Sequence, residues 1–347
     1  MGAIRSEGVL NSHNFLVDFL MNSFAESFHN VGNTPLEKGS VSLRLYASEG
    51  ISIEQVNQMR SEARLAEGVG YDGVMVSEHH AGFSGYLPNP LQLSSFLLPA
   101  TSNLWVSPCP LLLPTKPKAM VAEEIAWLSS AYPNRVGVGF AAGALPVDFE
   151  LAEIPFDEKN QRFKSNLPWI VDALRGVTEG PIGNDLAIRQ CKHQPIPMVV
   201  AAQSKEACKR AAKLNLGILF DSLQSPEVSM KLASAYREAG GEGPVILIRR
   251  VWIGSPPIAK IHAQMEHYHS YASDRAKGNW TQGDGTVVAN NGEEAAEQLL
   301  KILDDSGCDT INIRVHVAGL DPGEISEQIK AHEDSLVPSV KSGLRVG

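Results

Sequence analysis

The sequence is poor in cysteine, and no two of its cysteines are spaced as a pair. Cys109, Cys191, Cys208 and Cys308 lie far apart, which argues against a disulfide framework or a zinc knuckle and fits a reducing, cytoplasmic compartment. No apolar run reaches the length that crosses a bilayer, so a soluble protein is expected. Cations are also in deficit, with 30 Lys and Arg against 39 Asp and Glu and a net charge of −9, whereas a nucleic-acid surface requires clustered Lys and Arg. Asp18 interrupts the early apolar run and Arg5 is the only cation near it, so a secretory leader is not expected. Finally, no Gly-x-Gly-x-x-Gly follows the first strand-like segment, which weakens the case for an open dinucleotide-binding sheet.

What is present is a regular alternation of short apolar runs and amphipathic stretches. Residues 1–40 stand apart as an amino-terminal arm. Phe15, Leu16, Phe19, Leu20 and Phe24 fall at helical spacing within Asn14 to Phe28, and a helix there would pack on the domain or on a second subunit. Residues 41–347 then read as one domain, whose 43% apolar content over the whole chain supports a full core. Strands are expected at Val41 to Tyr46, from Gly73, at Leu104 to Ser107, Arg135 to Phe140, Pro197 to Ala202, Gly217 to Phe220, Pro244 to Ile253 and Thr310 to Val315. Helices follow each of them, including one capped by Ser52, one opening at Ser204 and a last one from Gly323 to about Leu336. Eight such strands, each too apolar to be wetted on one face, imply a TIM-type (β/α)8 barrel with insertions after strands four and seven.

In such a barrel, chemistry is built at the carboxyl ends of the strands. Strand two ends in Glu78-His79-His80, strand three in Ser107-Pro108-Cys109-Pro110, strand four in Phe140-Ala141-Ala142-Gly143, and strand five in Ala201-Ala202-Gln203-Ser204. The small residues of strands four and five leave room for a flat, bulky ligand, and the helix opening at Ser204 offers amides to a phosphate. Plainer readings stand beside these: a histidine satisfied in the core, Ser204 as an ordinary helix cap, a trans proline ending strand three. Cys109-Pro110 is nonetheless a site where a cis bond is cheap. His262, Glu266, His267 and His269 cluster in the second insertion, either as metal ligands one helical turn apart or as a solvated helix face. Arg249, Arg250 and Arg314 face either the pocket mouth or outer acids.

These segments, taken in order, resemble the bacterial luciferase-like flavin monooxygenases. The resemblance is carried by Glu78-His79-His80, Pro88-Asn89-Pro90, Leu112-Leu113-Pro114-Thr115 with Pro117, Ala122-Glu123-Glu124, Asn134 to Gly139, Asp148-Phe149-Glu150 and Arg162-Phe163. The stretches Phe83 to Pro90 and Gly137 to Gly143 are most similar to the branch found in natural-product biosynthesis.

The resemblance implies reduced FMN and O2 as cosubstrates, a flavin peroxide as oxygenating species, and a small organic substrate. It implies His79 as the active-site histidine, with Glu78 beside it as a second catalytic residue, and Cys109 and Pro110 in a cis bond next to the flavin ring. It also implies a flavin seat along Ala141, Ala142, Gly143 and Ala202, with Gln203 and Ser204 at its phosphate. Such a reaction needs a dry, lidded pocket, which Phe83, Phe140, Leu111 and the loop after strand seven could enclose. Ala142 stands where the luciferases carry a phosphate-binding arginine. Either Arg249, Arg250 or Lys205 substitutes, or the flavin is held loosely, as suits an enzyme supplied by a separate flavin reductase; a homodimer is expected. Three rival readings are a deazaflavin-dependent (F420) oxidoreductase of the same fold, a non-catalytic flavin-binding partner subunit, and a metal-dependent barrel hydrolase.

Overall fold

The computed structural model describes residues 34–272, 274–281 and 285–346, so the helix expected over 14–28 lies outside the described residues. The first half of the chain runs β1 (Val41–Arg44), α1 (Ser52–Val69), β2 (Gly73–Val76), α2 (Pro90–Leu97), β3 (Trp105–Pro108), β4 (Leu111–Leu112), α3 (Lys118–Ala131) and β5 (Val138–Ala141). An insertion carrying α4 (Pro146–Leu151), α5 (Lys159–Ala173) and α6 (Leu186–Gln190) follows. The pattern resumes with β6 (Met198–Ala201), α7 (Lys205–Lys213), β7 (Gly217–Phe220), α8 (Pro226–Glu238) and β8 (Val245–Ile253). The second insertion holds α9 (Ile258–Tyr271), α10 (Asp274–Gly278) and β9 (Val287–Ala289). The chain closes with α11 (Gly292–Ser306), β10 (Thr310–Arg314), α12 (Pro322–Lys330) and α13 (Leu336–Val346).

The hydrogen-bonded order is β3-β2-β1-β10-β8-β7-β6-β5-β4, and every pairing in it is parallel. This path begins and ends in one place, because β3 and β4 are halves of the third barrel strand, parted only by Cys109 and Pro110. A bridge from Val106 to Val136 ties β3 to the run that leads into β5. The result is a TIM-type (β/α)8 barrel whose insertions follow its fourth and seventh strands.

Alternation along the strands divides the core in two. Met75, Trp105, Cys109, Val199, Leu219, Ile246 and Ile248 pack together inside the barrel, with Leu36 beneath them. Val41, Leu43, Val74, Val76, Val138, Phe140, Ile311 and Ile313 belong to the larger core between strands and helices. The same parity turns Ser42, Arg44 and Tyr46 inward from β1, Arg250 from β8, and Asn312, Arg314 and His316 from β10. The lumen is therefore apolar at the amino ends of the strands and polar at their carboxyl ends.

Four local details depart from the sequence expectation. Ile51, not Ser52, occupies the cap of α1, and its amide donates to Glu54 at 3.4 Å. The third strand is split at the Cys109–Pro110 bond, whose cis form agrees with what the resemblance implies. The second insertion contains β9, which pairs with Val251–Ile253 of β8 outside the ring. The final helix is two helices, because the chain turns inward at 331–335 to bury His332, whose Nδ1 lies 2.7 Å from the Tyr71 hydroxyl. Burial pushes that imidazole down to about 3 and keeps it neutral. Among the described residues no helix is long and apolar enough to cross a membrane, and all four cysteines are free and buried.

The amino-terminal end of the barrel holds a cavity of about 500 Å³ lined by Lys38, Ser40, Asp72, Arg237, Asp309 and Arg345, among others. Lys341 pairs with Asp72 and Arg237 with Asp309 beside it. In the α/β barrel such pairs at this end support stability, since the chemistry sits at the other.

One buried acid on α1 makes a sign-definite prediction. Glu62 is 2% exposed, and burial pushes it up to about 8 against a single 2.6 Å hydrogen bond from Gln58 Nε2. Its folded pKa lies above the unfolded value, so its penalty is absent below about pH 4.5 and grows as pH rises toward 8. Glu62→Gln is expected to raise stability at pH 8 by about 2–4 kcal/mol and to change it little at pH 4.5. Urea unfolding at the two pH values checks this, and equal or lower stability of the variant at pH 8 would contradict it.

Candidate functional site

β2 delivers its polar terminus with alternating direction. Met75 faces the lumen, so Ser77 and His79 continue on that side, while Glu78 turns outward into the layer beside β4. The Glu78 side chain is fully enclosed and engaged on both oxygens. Oε1 meets Lys116 Nζ at 2.7 Å and His80 Nε2 at 3.0 Å, and Oε2 accepts from the Leu112 amide at 2.8 Å. Burial alone would raise its pKa, but the His80 hydrogen bond, the Lys116 charge and the Leu112 amide together hold it below the usual carboxylate range.

His79 is held from a distant part of the chain. Asp148, buried on α4, places Oδ2 2.9 Å from His79 Nδ1 and accepts the His80 backbone N–H on Oδ1, also at 2.9 Å. A carboxylate has no proton to give, so Nδ1 carries the hydrogen and Nε2 presents its lone pair. The ring lies between Phe83 and Tyr86, at centroid distances of 4.9 and 4.6 Å, and the side chain is 20% exposed. This is an oriented imidazole with one working nitrogen at the rim of a barrel.

The other expected residues lie on the next three strands round the ring. Cys109 is buried beside β5, where a side chain on Gly139 would approach its sulfur to 2.1 Å. Burial pushes its thiol up to about 11, so it is no thiolate nucleophile. Ala141, Ala142 and Gly143 are half-buried. Gly143 has φ +83° and its missing Cβ would press on Phe149 at 2.7 Å. Ala202 is buried and Gln203 exposed, its Nε2 donating to Asp221 Oδ2 at 3.1 Å. Ser204 caps α7, its hydroxyl accepting from the Ala207 amide at 3.2 Å.

The arginines separate by parity. Arg250 and Arg314 face the lumen, whereas Arg249 points to the outer layer, where its guanidinium donates to the carbonyls of Ser222 and Gln224. Arg44 was not anticipated. It reaches the side chains of Asn312 and Ser77 and, at 3.1 Å, the carbonyl of Cys109. Asp148, Tyr46, His316 and Lys116 also went unassigned by sequence reasoning. For β1 and β10 a signal existed: polar residues at every second position, Ser42-Arg44-Tyr46 and Asn312-Arg314-His316, inside otherwise apolar strands. Asp148 stood out only within the Asp148-Phe149-Glu150 motif of the resemblance, and its pairing with His79, 69 residues away, left no local signal.

His262, Glu266, His267 and His269 are exposed on α9. Among the described residues no group of three or more His, Cys, Asp or Glu could hold a metal ion. His267 instead packs on Phe83 at 5.6 Å and His269 on Trp280 at 5.1 Å. With Tyr268 and Tyr271, α9 lays an aromatic cover over the loop that follows β2.

Residues 38–338 match the family model of luciferase-like monooxygenases. The chain belongs to that family. Among its curated relatives is the alkanal monooxygenase alpha chain of Photorhabdus laumondii, 25% identical over 199 residues, covering 54% of this chain and 55% of that one. The chain spans about half the length of the curated relatives it matches. Two solved structures share the fold. The FMN-bound oxygenating constituent of 3,6-diketocamphane monooxygenase from Pseudomonas putida has a TM-score of 0.65 at 16% identity, covering 86% of this chain and 98% of its own. An F420-dependent secondary alcohol dehydrogenase has the same TM-score and identity, covering 88% and 99%.

The enclosed Glu78 predicts how the β2 terminus responds to acid. Its depressed pKa contributes stability that is present above about pH 4.5 and lost as pH falls below it. Glu78→Gln is expected to cost on the order of 2 kcal/mol at neutral pH, since Lys116 is left with a weaker partner. The gap from the unsubstituted protein is expected to close toward pH 3. Denaturant titrations across this range measure it, and a gap that persists unchanged at pH 3 would refute the ion-pair account.

Proposed function

We propose that the protein is a flavin-dependent monooxygenase that uses reduced FMN and O2 to place one oxygen atom in a small organic substrate, the other leaving as water. The carrying observation is the Asp148–His79 pair at the carboxyl ends of the barrel strands, in a chain of the luciferase-like family. Bound reduced flavin would supply the electrons that activate oxygen. The chain's own residues do the rest.

The residues present fit such a group. Ala141, Ala142 and Gly143, half-buried and without bulky side chains, would leave room for the ring beside the Cys109–Pro110 corner, while Ala202 is fully buried in the core between strands and helices. Ser204 occupies only the Ala207 amide, so the first turn of α7 can still turn toward a phosphate. Lys205 at that turn would supply positive charge to a phosphate there, where Ala142 provides none, whereas Arg249 is turned to the outer layer and committed to the Ser222 and Gln224 carbonyls. His79 Nε2 accepts or returns the one proton that oxygen transfer requires. Asp148 fixes the tautomer and steadies the charged form of the ring. Glu78, whose acceptors are all engaged, is a positioning residue that anchors the His79–His80 segment to β4 and Lys116. Phe83, Tyr86 and the aromatic face of α9 exclude water from the rim. A separate reductase, a homodimeric assembly and a reducing cellular compartment complete the proposal.

A deazaflavin-dependent dehydrogenase is the second reading, favoured by the shared fold of the F420-dependent alcohol dehydrogenase. Anaerobic titration with each reduced cofactor separates the two: reduced FMN is expected to bind at least tenfold more tightly than reduced deazaflavin. The reverse order would overturn the proposal in favour of the dehydrogenase. With FMN bound, His79→Ala is expected to lower the rate of oxygen transfer by about 100-fold or more, with hydrogen peroxide released in its place. Peroxide yield per flavin oxidised is the readout, and an unchanged yield would remove His79 from the reaction.

A further inference from the structure

The cavity of about 500 Å³ at the amino-terminal end of the barrel holds more charge than the fold uses. Its walls come from separate elements: Lys38 and Ser40 lead into β1, Asp72 into β2 and Asp309 into β10, while Arg237 ends α8 and Arg345 ends α13. Asp72 and Asp309 have structural duties. Asp72 Oδ2 accepts the Val41 amide at 2.8 Å while Oδ1 takes Lys341, and Asp309 Oδ1 accepts the Val245 amide at 2.9 Å while Oδ2 takes Arg237. Each acid therefore fixes the start of a neighbouring strand and meets its own cation. Arg237 also donates to the Gly241 and Gly243 carbonyls at 2.8 and 2.7 Å, and Lys341 to the Gly70 carbonyl at 2.6 Å. Both cations are thus accounted for at helix ends, where carbonyls gather.

Three other polar groups of the same cavity have no such account. Lys38 and Arg345 are exposed, and among the described residues neither makes an ion pair or a side-chain hydrogen bond. Ser40 is 4% exposed and its hydroxyl has no hydrogen-bond partner. A buried hydroxyl without a partner is costly, and native folds keep one mainly where a water, an ion or a ligand meets it. With Asp72 and Asp309 matched, the acid left in the lining is Glu37, whose Oε2 accepts the Thr34 amide at 3.0 Å. Two cations against one acid leave the cavity with a net positive charge, and its volume is that of a small-molecule site.

We propose that this cavity is a second ligand site, taking a small phosphate monoester whose phosphate is met by Lys38, Arg345 and the Ser40 hydroxyl. Two cations and a hydroxyl suit an anion with several oxygens, and a guanidinium can take two of them at once. The rest of the volume, beside Leu344, receives the organic part of the ester. The site lies at the opposite end of the barrel from His79, so its ligand acts on the fold and not on the reaction. By joining the start of β1 to the end of α13 it binds the folded chain alone, and it stabilises that chain in proportion to its occupancy.

Thermal unfolding of the full chain with inorganic phosphate as the probe, at ionic strength held constant with chloride, tests the site without flavin or turnover. A saturable rise of about 2 °C or more is expected, half complete near ~1 mM phosphate, with acetate giving no such rise. Lys38→Gln combined with Arg345→Gln, both exposed, is expected to move the half-point upward by about tenfold or more, and Ser40→Ala by severalfold. The first turn of α7 is a rival seat for the same probe, so Lys205→Gln is measured in parallel and is expected to leave the half-point within about twofold. A flat response in the unsubstituted protein, whether for want of affinity or because another part of the chain fills the cavity, would overturn the proposal. So would an equal response to acetate, a response kept in the Lys38 and Arg345 double variant, or one lost in Lys205→Gln. The affinity for reduced FMN, on which the monooxygenase reading stands, is a separate titration that none of these outcomes prejudges.

Discussion

The Asp148 carboxylate is the contact on which the rest of the site depends. It extends from the first turn after β5 across the barrel rim and holds two successive residues of the β2 terminus, His79 by its ring and His80 by its backbone. Without it, the segment after β2 would be a glycine-containing loop with several conformations of similar energy. With it, one nitrogen of the imidazole is committed to structure and the other is left without that tie. Glu78 works on the opposite face of the same segment, so the two acids grip it from both sides. Each is enclosed and each receives more than one donor, which is how a buried carboxylate becomes tolerable.

The barrel was legible because its strands are apolar on both faces and follow one another at regular intervals. The four strand ends carrying Glu78-His79-His80, Cys109-Pro110, Ala141-Ala142-Gly143 and Gln203-Ser204 could be placed from that periodicity alone. What sequence could not supply was direction and partnership. Glu78 and His79 are adjacent letters, yet strand parity sends one outward to Lys116 and the other inward to the mouth. Arg249 and Arg250 divide in the same way. The β9 strand escaped notice because three residues, Val287, Val288 and Ala289, are too short a run to distinguish from a loop. The Asp148 contact escaped because tertiary pairing over so many residues leaves no local trace, and the inward polar residues of β1 and β10 were masked by the apolar neighbours that alternate with them.

The two ends of the barrel handle charge differently. At the amino end, Lys341 with Asp72 and Arg237 with Asp309 are matched ion pairs, and deeper in the fold the Tyr71 hydroxyl and His332 Nδ1 pair as neutral groups. At the carboxyl end, Arg44 and Arg314 sit among tyrosines, amides and carbonyls.

The pairing of β9 with β8 also shapes how this molecule could diversify. Val251–Ile253 and Val287–Ala289 run side by side, and the Gly254 amide donates to the Ala289 carbonyl at 2.8 Å. The excursion bearing α9 therefore leaves and rejoins the ring beside β8, and backbone bonds from Ser225 to Asn279 and from Thr281 to Leu223 tie it to the end of β7 as well. Its length can change at little cost to the eight-stranded frame, because a longer excursion adds only a slowly growing closure entropy, whereas the positions of Gln264 and Tyr268 are tied to barrel arginines. Selection acting on the kinds of molecule admitted could rewrite the rest of the excursion while the histidine and its carboxylate stay in place.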